Sequence, residues 1–284
     1  MMVDQGSLSI VRRALAEDLA GYGDITSALT VPAELRGEAD IIAREDLVLC
    51  GVELAETVLR EVDATATFMP VVGEGASMAA GEIVARIEGP VRSILSAERT
   101  MLNFLSHLSG VATESRRFAQ AVAGLRARVV DTRKTTPGLR AWEKRAVVCG
   151  GCCNHRFGLF DLVLIKNNHL AAAGGVREAL LRVRESCPHS LKIEVEVENA
   201  DDLREAIACG ADVIMLDNQT PTSLGELVLL ARSLKPDVVL EASGGVTLEN
   251  LRAVAETGVD IISTSGITMG APAANLSLRL KPTA

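Results

Sequence analysis

The stretch 191–219, LKIEVEVENADDLREAIACGADVIMLDNQ, decides how the rest of the chain is read. It holds an apolar run that ends in polar residues, a helix-like stretch, and a second apolar run ending the same way. That is a strand, a helix and a parallel strand in the space of one βα unit. Working outward, the same rhythm recurs at RVVDTRK, DLVLIKNNH, DVVLEASGG and VDIISTSG. With Asp131, Lys166, Glu196, Asp217, Glu241 and Ser263 as markers, the spacings are 35, 30, 21, 24 and 22 residues. Helix-like VREALLRVRES, LGELVLLARSL and TLENLRAVAETG fill the intervals, the last with Thr247 to cap it and Gly258 after its end. Six units in series predict a closed or nearly closed parallel β/α barrel, with functional residues at the C-terminal strand ends. An open doubly wound sheet is the alternative, but its glycine-rich nucleotide fingerprint is missing after the first strand.

The first 110 residues follow a different pattern. IIAREDLVLCGVELAETVL pairs a strand with a helix, and VVGEGASMAAGEIVARIEGPVRSIL sets glycines between short alternating strands. These glycines resemble those of lipoyl- and biotin-carrier hairpins, yet such carriers need a modifiable lysine and the first lysine here is Lys134. A β-rich structural domain is therefore expected over 1–110, and ERTMLNFLSHLSGVATESRRFAQAV is expected to be a long helix joining it to a barrel over 111–270. The N-terminal SLSIVRRALAEDL reads as an amphipathic helix with Ser7 or Ser9 near its cap.

The chain has 284 residues, a net charge of −8 and 2% aromatics, which argues against nucleic-acid binding by charge or by base stacking. No apolar run approaches the ~18–20 residues that span a bilayer. The N-terminus lacks a signal pattern, and six cysteines without secretory context read as reduced cytosolic thiols. The charge is unevenly spread: from Arg126 to Lys166 nine Lys and Arg face three acids. A basic island in an acidic chain focuses a small polyanion.

That island contains DTRKTTPGLR (131–140), which gathers Arg133, Lys134 and three threonines at a strand end, as an anion grip would. GGCCNHRFGL adds His155 and Arg156, and Arg can hold a carboxylate through two parallel hydrogen bonds. The thiols Cys149, Cys152 and Cys153, with His155 and His169, also have to be weighed as a zinc site, although no second hook follows the C-x₂-C step. IEVEVEN sets Glu194 and Glu196 on one side of a strand. Charges inside a strand need partners, and Lys134, Lys166 or a divalent cation shared with Asp217 are the choices. EASGG and STSG offer backbone N–H groups at helix starts, a cradle for phosphate.

These residues carry a family resemblance. DTRKTTPGLR, NHRFGLFDLVLIKNNH, IEVEVEN, IMLDN, LEASGG and the N-terminal EDLAGYGDIT, in that relative arrangement from about residue 14 onward, resemble quinolinate phosphoribosyltransferase. The resemblance implies an incomplete β/α barrel with a β-rich α+β N-terminal sandwich domain that the tail, 271–284, completes. It implies a cytoplasmic homodimer, or a higher assembly of dimers, in which one subunit covers the other's barrel mouth. It implies the substrates quinolinate and phosphoribosyl pyrophosphate, with Mg²⁺. By motif, Arg99, Arg133, His155, Arg156 and Lys166 would hold the quinolinate carboxylates and Lys134 would lie between the two substrates. Glu196 and Asp217 would face ribose and metal and, with Lys134, carry the catalysis; Ser243, Gly244, Gly245 and Ser265 would take the phosphate.

The chain departs from the family pattern at three places. Cys152 and Cys153 break a glycine run, Ser265 stands for a glycine, and Met269 stands for a histidine expected near the phosphate. The enzyme alternative is the molybdenum-transport-linked phosphoribosyltransferase homologues, whose motifs resemble RKTFPG and PHR where this chain has RKTTPG and NHR. A thiol-rich metal-binding barrel and a Schiff-base barrel using Lys166 are alternatives from other classes.

Overall fold

The computed structural model describes residues 5–282, whose contacts divide them between two units. Of these residues the first comprises 5–116, 145–151 and 271–282; the second comprises 117–144 and 152–270.

In the first unit, α1 (Gln5–Leu19) and α2 (Ile25–Thr30) precede β1 (Arg36–Ala43), β2 (Leu47–Val48) and α3 (Val52–Val62). Then come β3 (Thr67–Pro70), β4 (Ser77–Met78), β5 (Ile83–Pro90) and α4 (Val91–Ala121). α1 is already under way at Gln5, so Ser7 and Ser9 fall inside it instead of starting it; residues 1–4 lie outside those described. Asp24 does cap α2, accepting the Ser27 amide at 2.9 Å. α4 begins seven residues earlier than the sequence pattern indicated, directly from β5.

The C-terminal strand Leu276–Pro282 returns to this unit and pairs antiparallel with β1, from Gly37 opposite Pro282 to Ala43 opposite Leu276. The sheet order is C-terminal strand, β1, β5, β3, with β2 and β4 as a separate pair. Ile41, Leu54, Leu59, Ile87 and Leu105 are fully buried in its core. Gly110 on α4 lets the tail in: a Cβ there would run into the backbone of Pro272 and Ala273. That is a close approach only glycine permits.

The second unit alternates strand and helix. β6 (Arg128–Val130) is followed by α5 (Arg140–Gly150), whose residues from Arg145 onward belong to the first unit, and by β7 (Val163–Ile165), α6 (Asn167–Ala173) and α7 (Val176–Ser186). β8 (Ile193–Val197), α8 (Ala200–Ala208), β9 (Val213–Asp217), α9 (Pro221–Leu234), β10 (Val239–Ser243), α10 (Leu248–Glu256) and β11 (Ile261–Ser263) complete it. All neighbouring strands are parallel, in the order β6-β11-β10-β9-β8-β7. β6 and β7 are left as edges, so the barrel is incomplete. Every residue of β8 is buried, as expected for a strand covered on both faces. The helices start where the sequence signals lie: Asn199 accepts the amides of Asp201 and Asp202, and Thr247 with Asn250 forms a capping box on α10.

Cys152 and Cys153 continue this frame. Cys153 donates to the Val129 carbonyl at 2.9 Å and accepts from Asp131, extending the β6 edge by one bridge. Extended pairing of this kind needs no glycine, which explains why the interrupted glycine run is tolerated there.

Candidate active site

The strand ends of the second unit surround a cavity of about 330 Å³ lined by Thr132, Arg133, Lys134, His155, Arg156, Lys166, Glu241, Ser243 and Ser263, among others. Half of the loop after β6 is scaffolding. Arg140 donates to the Thr135 hydroxyl (3.0 Å) and to the carbonyls of Arg133 (3.1 Å) and Phe157 (3.2 Å). Thr132 accepts the Lys134 amide, and Thr268 donates to the Lys134 carbonyl. The threonines thus shape the loop, and the charged ends of Arg133 and Lys134 are what it presents. Arg133 Nε is buried without a hydrogen-bond partner among the described residues. Burial, and next the charge of Arg133, hold the Arg156 pKa below its usual value. Two guanidiniums that burden each other in this way favour an anion between them.

Beneath the loop lies an ion pair that the sequence did not reveal as such. Asp131 is fully buried and bonded to Lys144, and it accepts the His155 amide at 2.9 Å. Lys144 donates in turn to the His155 carbonyl at 3.0 Å. Burial raises the Asp131 pKa, against the pull of Lys144. The pair fixes where the 154–156 segment meets the end of β6.

His155 is the second surprise. Its Nε2 stands 3.3 Å from both Glu194 and Glu241, and its Nδ1 accepts the Arg156 amide at 2.7 Å. Glu194 therefore pairs with His155, and the expected lysines are not its partners. One ring N–H cannot satisfy two carboxylates, and an oxygen of each is left without a partner. Burial pushes the imidazole pKa down, but the bonds and charges of Glu194 and Glu241 outweigh it and raise it to about 10. The Arg156 amide opposes this, since a second ring proton would have to sit on Nδ1. With both nitrogens engaged, His155 offers its edge to the cavity and holds Arg156 in place.

Glu196 meets Lys166 at 3.3 Å, one of the pairings the sequence allowed. Asp217 ends β9, and its pKa is raised by burial first and by the charge of Glu196 second. Two carboxylates that repel each other at strand ends make a donor set for a hard cation such as Mg²⁺, which takes one or two carboxylates and completes its shell with phosphate oxygens and water. Asn218 follows in a left-handed conformation (φ 51°) and donates to Asp217 at 2.6 Å.

Beside it, Ser243, Gly244 and Gly245 line a second cavity of about 180 Å³ with Asn218, Gln219 and Thr220. Gly244 and Gly245 both have positive φ, 86° and 64°, and a Cβ on Gly244 would strike the Asn218 amide. With no Cβ at either position, a ligand can approach the backbone there closely. Ser265 is half-buried in the turn after β11, where its carbonyl accepts the Met269 amide; Met269 itself is exposed.

Arg99 is exposed on α4, in the first unit, apart in sequence from the strand-end series. The thiols Cys152 and Cys153 gather no metal ligands: among the described residues the candidate groups are Cys50–Glu74–Cys149 and His155–Glu194–Glu241. Burial pushes the Cys152 thiol up to about 12, and His169 is committed to accepting the Lys166 amide.

An incomplete parallel barrel with opposed cations, paired acids and a glycine turn at its strand ends defines an enzyme that handles small phosphorylated and carboxylated substrates. The chain belongs to the quinolinate phosphoribosyl transferase family: the model of its N-terminal domain matches residues 24–109 and that of its C-terminal domain residues 111–279. A probable carboxylating nicotinate-nucleotide pyrophosphorylase of Synechocystis sp. is 42% identical over 266 residues, covering 94% of this chain and 90% of the relative. The carboxylating nicotinate-nucleotide pyrophosphorylase of Mycobacterium leprae is 42% identical over 261 residues, 91% of each. The solved nicotinate-nucleotide pyrophosphorylase of Francisella tularensis superposes with a TM-score of 0.93 at 39% identity, covering 99% of this chain and 98% of that one. No helix among the described residues is long and apolar enough to cross a membrane.

Proposed function

We propose that the chain transfers phosphoribose from phosphoribosyl pyrophosphate to the ring nitrogen of quinolinate, with loss of CO₂, giving nicotinate mononucleotide and pyrophosphate for NAD biosynthesis. The observation that carries this reading is the buried, unpartnered Arg133 Nε beside Arg156 and Lys166 in a cavity of about 330 Å³. A dicarboxylate answers all three cations at once, and family membership supplies the rest.

Arg133, Arg156 and Lys166 grip the quinolinate carboxylates, with His155 fixing Arg156, and Lys134 lies between quinolinate and the sugar pyrophosphate. The glycine turn at Ser243, Gly244 and Gly245 receives the 5′-phosphate, and Ser265 is assigned to it with them. As pyrophosphate departs, positive charge grows on the ribose C1′, where the carboxylates of Glu196 and Asp217 stabilise it. The ring nitrogen bonds to C1′ and becomes cationic. It then accepts the electron pair released when the adjacent carboxylate leaves as CO₂, and that carbon takes a proton. Glu196 and Asp217 would hold Mg²⁺, which supplies neutralising charge for the pyrophosphate when bound.

The reading extends to a cytoplasmic homodimer in which Arg99 completes the partner's site; its exposed position on α4 is what supports this. The test is CO₂ release from carboxyl-labelled quinolinate. Release that requires both phosphoribosyl pyrophosphate and Mg²⁺ is expected, and no release at saturating substrates would overturn the assignment.

A further inference from the structure

Three side chains of the first unit that the proposed reaction leaves unused meet at the start of α3. Cys50 precedes that helix, Glu74 lies in the turn between β3 and β4, and Cys149 lies in the last turn of α5. Both Sγ atoms and a Glu74 carboxylate oxygen lie within 4.8 Å of one another. Cys50 is fully buried and the other two are half-buried. A tetrahedral ion bonded at ~2.3 Å to sulfur and ~2.0 Å to oxygen sets such ligands about 3.5–3.8 Å apart. The three atoms therefore reach that spacing by moving about an ångström or less.

The frame around them is fixed from the backbone. Glu74 accepts the Gly51 amide at 3.0 Å and the Val52 amide at 3.0 Å, so its carboxylate is held over the α3 N-terminus with lone pairs to spare. Arg116 donates to the carbonyls of Cys149 (3.3 Å) and Gly150 (2.8 Å), which pins the end of α5. Two thiolates and a carboxylate around a divalent ion leave one negative charge, and Arg145, which holds Glu53 at 2.7 Å, stands 4.0 Å from Glu74 beside it.

We propose that Cys50, Glu74 and Cys149 bind a borderline-soft divalent cation of the zinc class, with water in the fourth position. The ion ties α3, the β3–β4 turn and the end of α5 together. It is distinct in chemistry from the hard cation assigned to Glu196 and Asp217, because thiolates select soft ions and oxygen-only sets select hard ones. Neither Cys152 nor Cys153 takes part.

The test is a Co²⁺ titration of the reduced, chelator-stripped full chain. One equivalent should bind with a near-ultraviolet thiolate-to-cobalt charge-transfer band and the intense visible bands of a tetrahedral ion, and Zn²⁺ should displace it. Glu74→Gln should weaken binding by about 10- to 100-fold or more, the loss typical even for an outer-shell partner. Cys50→Ser and Cys149→Ser should abolish the charge-transfer band, while Cys152→Ser and Cys153→Ser should leave it unchanged. The wild-type titration stands even if a buried-site variant fails to fold. No charge-transfer band in the wild type overturns the proposal, as does a band that survives in the Cys50→Ser, Cys149→Ser double variant.

Discussion

Arg133, in the loop that follows β6, has a buried Nε–H that finds no hydrogen-bond partner among the described residues. The neighbouring guanidinium of Arg156 is depressed by burial and by Arg133 together, so each is made costlier by the other until an anion arrives. Arg133→Ala and Arg156→Ala should therefore each weaken quinolinate binding by roughly ten- to hundredfold, the worth of a charge-assisted hydrogen bond of about 1.5–3 kcal/mol. Binding of phosphoribosyl pyrophosphate should change far less, and calorimetry with each ligand separately can tell; equal losses would remove the carboxylate grip. Residue types were legible where chemistry is concentrated in a short run: Arg133, Lys134, Arg156 and Lys166 all line the cavity. What could not be read were the partners of buried charge. Glu194 finds His155 and Asp131 finds Lys144 across turns of the chain, and spacing along the sequence carries no sign of either.

At the scale of elements, the βα rhythm was visible because each strand must be apolar and each helix must cover it, which writes the period directly into the sequence. The incomplete closure was not, since which edge strands pair depends on the whole sheet. The loop after β10 shows how an element positions chemistry: Gly244 (φ 86°) leaves room for the Asn218 side chain, which in turn holds Asp217. Gly244→Ala should destabilise by about 1–3 kcal/mol through overpacking and backbone strain. It should raise the KM for phosphoribosyl pyrophosphate more than that for quinolinate, and unchanged values for both would remove this turn from the phosphate site. The C-terminal strand is tied to β1 through Asp40, which meets Lys281 at 2.5 Å and Arg279 at 3.1 Å. The Lys281 bond is the largest influence and, with Arg279, lowers the Asp40 pKa below 3.8 despite burial. A lowered carboxyl pKa stabilises the fold above the unfolded value, and that stability is lost as pH falls through the folded one. Both cations are half-exposed, so the gain is about 1 kcal/mol or less. Wild type should melt above Asp40→Asn at neutral pH, with the gap closing on acidification below 3.8. A gap that stays constant across that range would mean the ion pairs do not anchor the strand.

At the scale of the whole molecule, the family's two domains span residues 24–279, yet the cations of the second unit account for every assigned quinolinate contact except one. Arg99 belongs to the first unit and is exposed on α4. An exposed helix arginine with only a surface role changes stability by less than ~0.5 kcal/mol when removed, and leaves activity alone. The proposed shared site makes a different demand. Arg99→Ala should be nearly inactive although its fold is intact, and so should Lys166→Ala, because each homodimer carries the same defect in both of its sites. When the two variants are unfolded together and refolded as a mixture, about half of the dimers pair one chain of each kind if association is random. If Arg99 serves the partner's site, both substitutions of such a heterodimer fall in the same site: the Lys166→Ala chain supplies that site's barrel and the Arg99→Ala chain its covering arm. The other site then has a native Lys166 and a native Arg99, so the mixture should regain about a quarter of wild-type activity. If Arg99 serves its own chain's barrel, every site in every dimer keeps one defect and nothing returns. Recovery measured against the fraction of heterodimer separated by charge-tagged chromatography distinguishes the two arrangements, and an inactive purified heterodimer would sink the shared site.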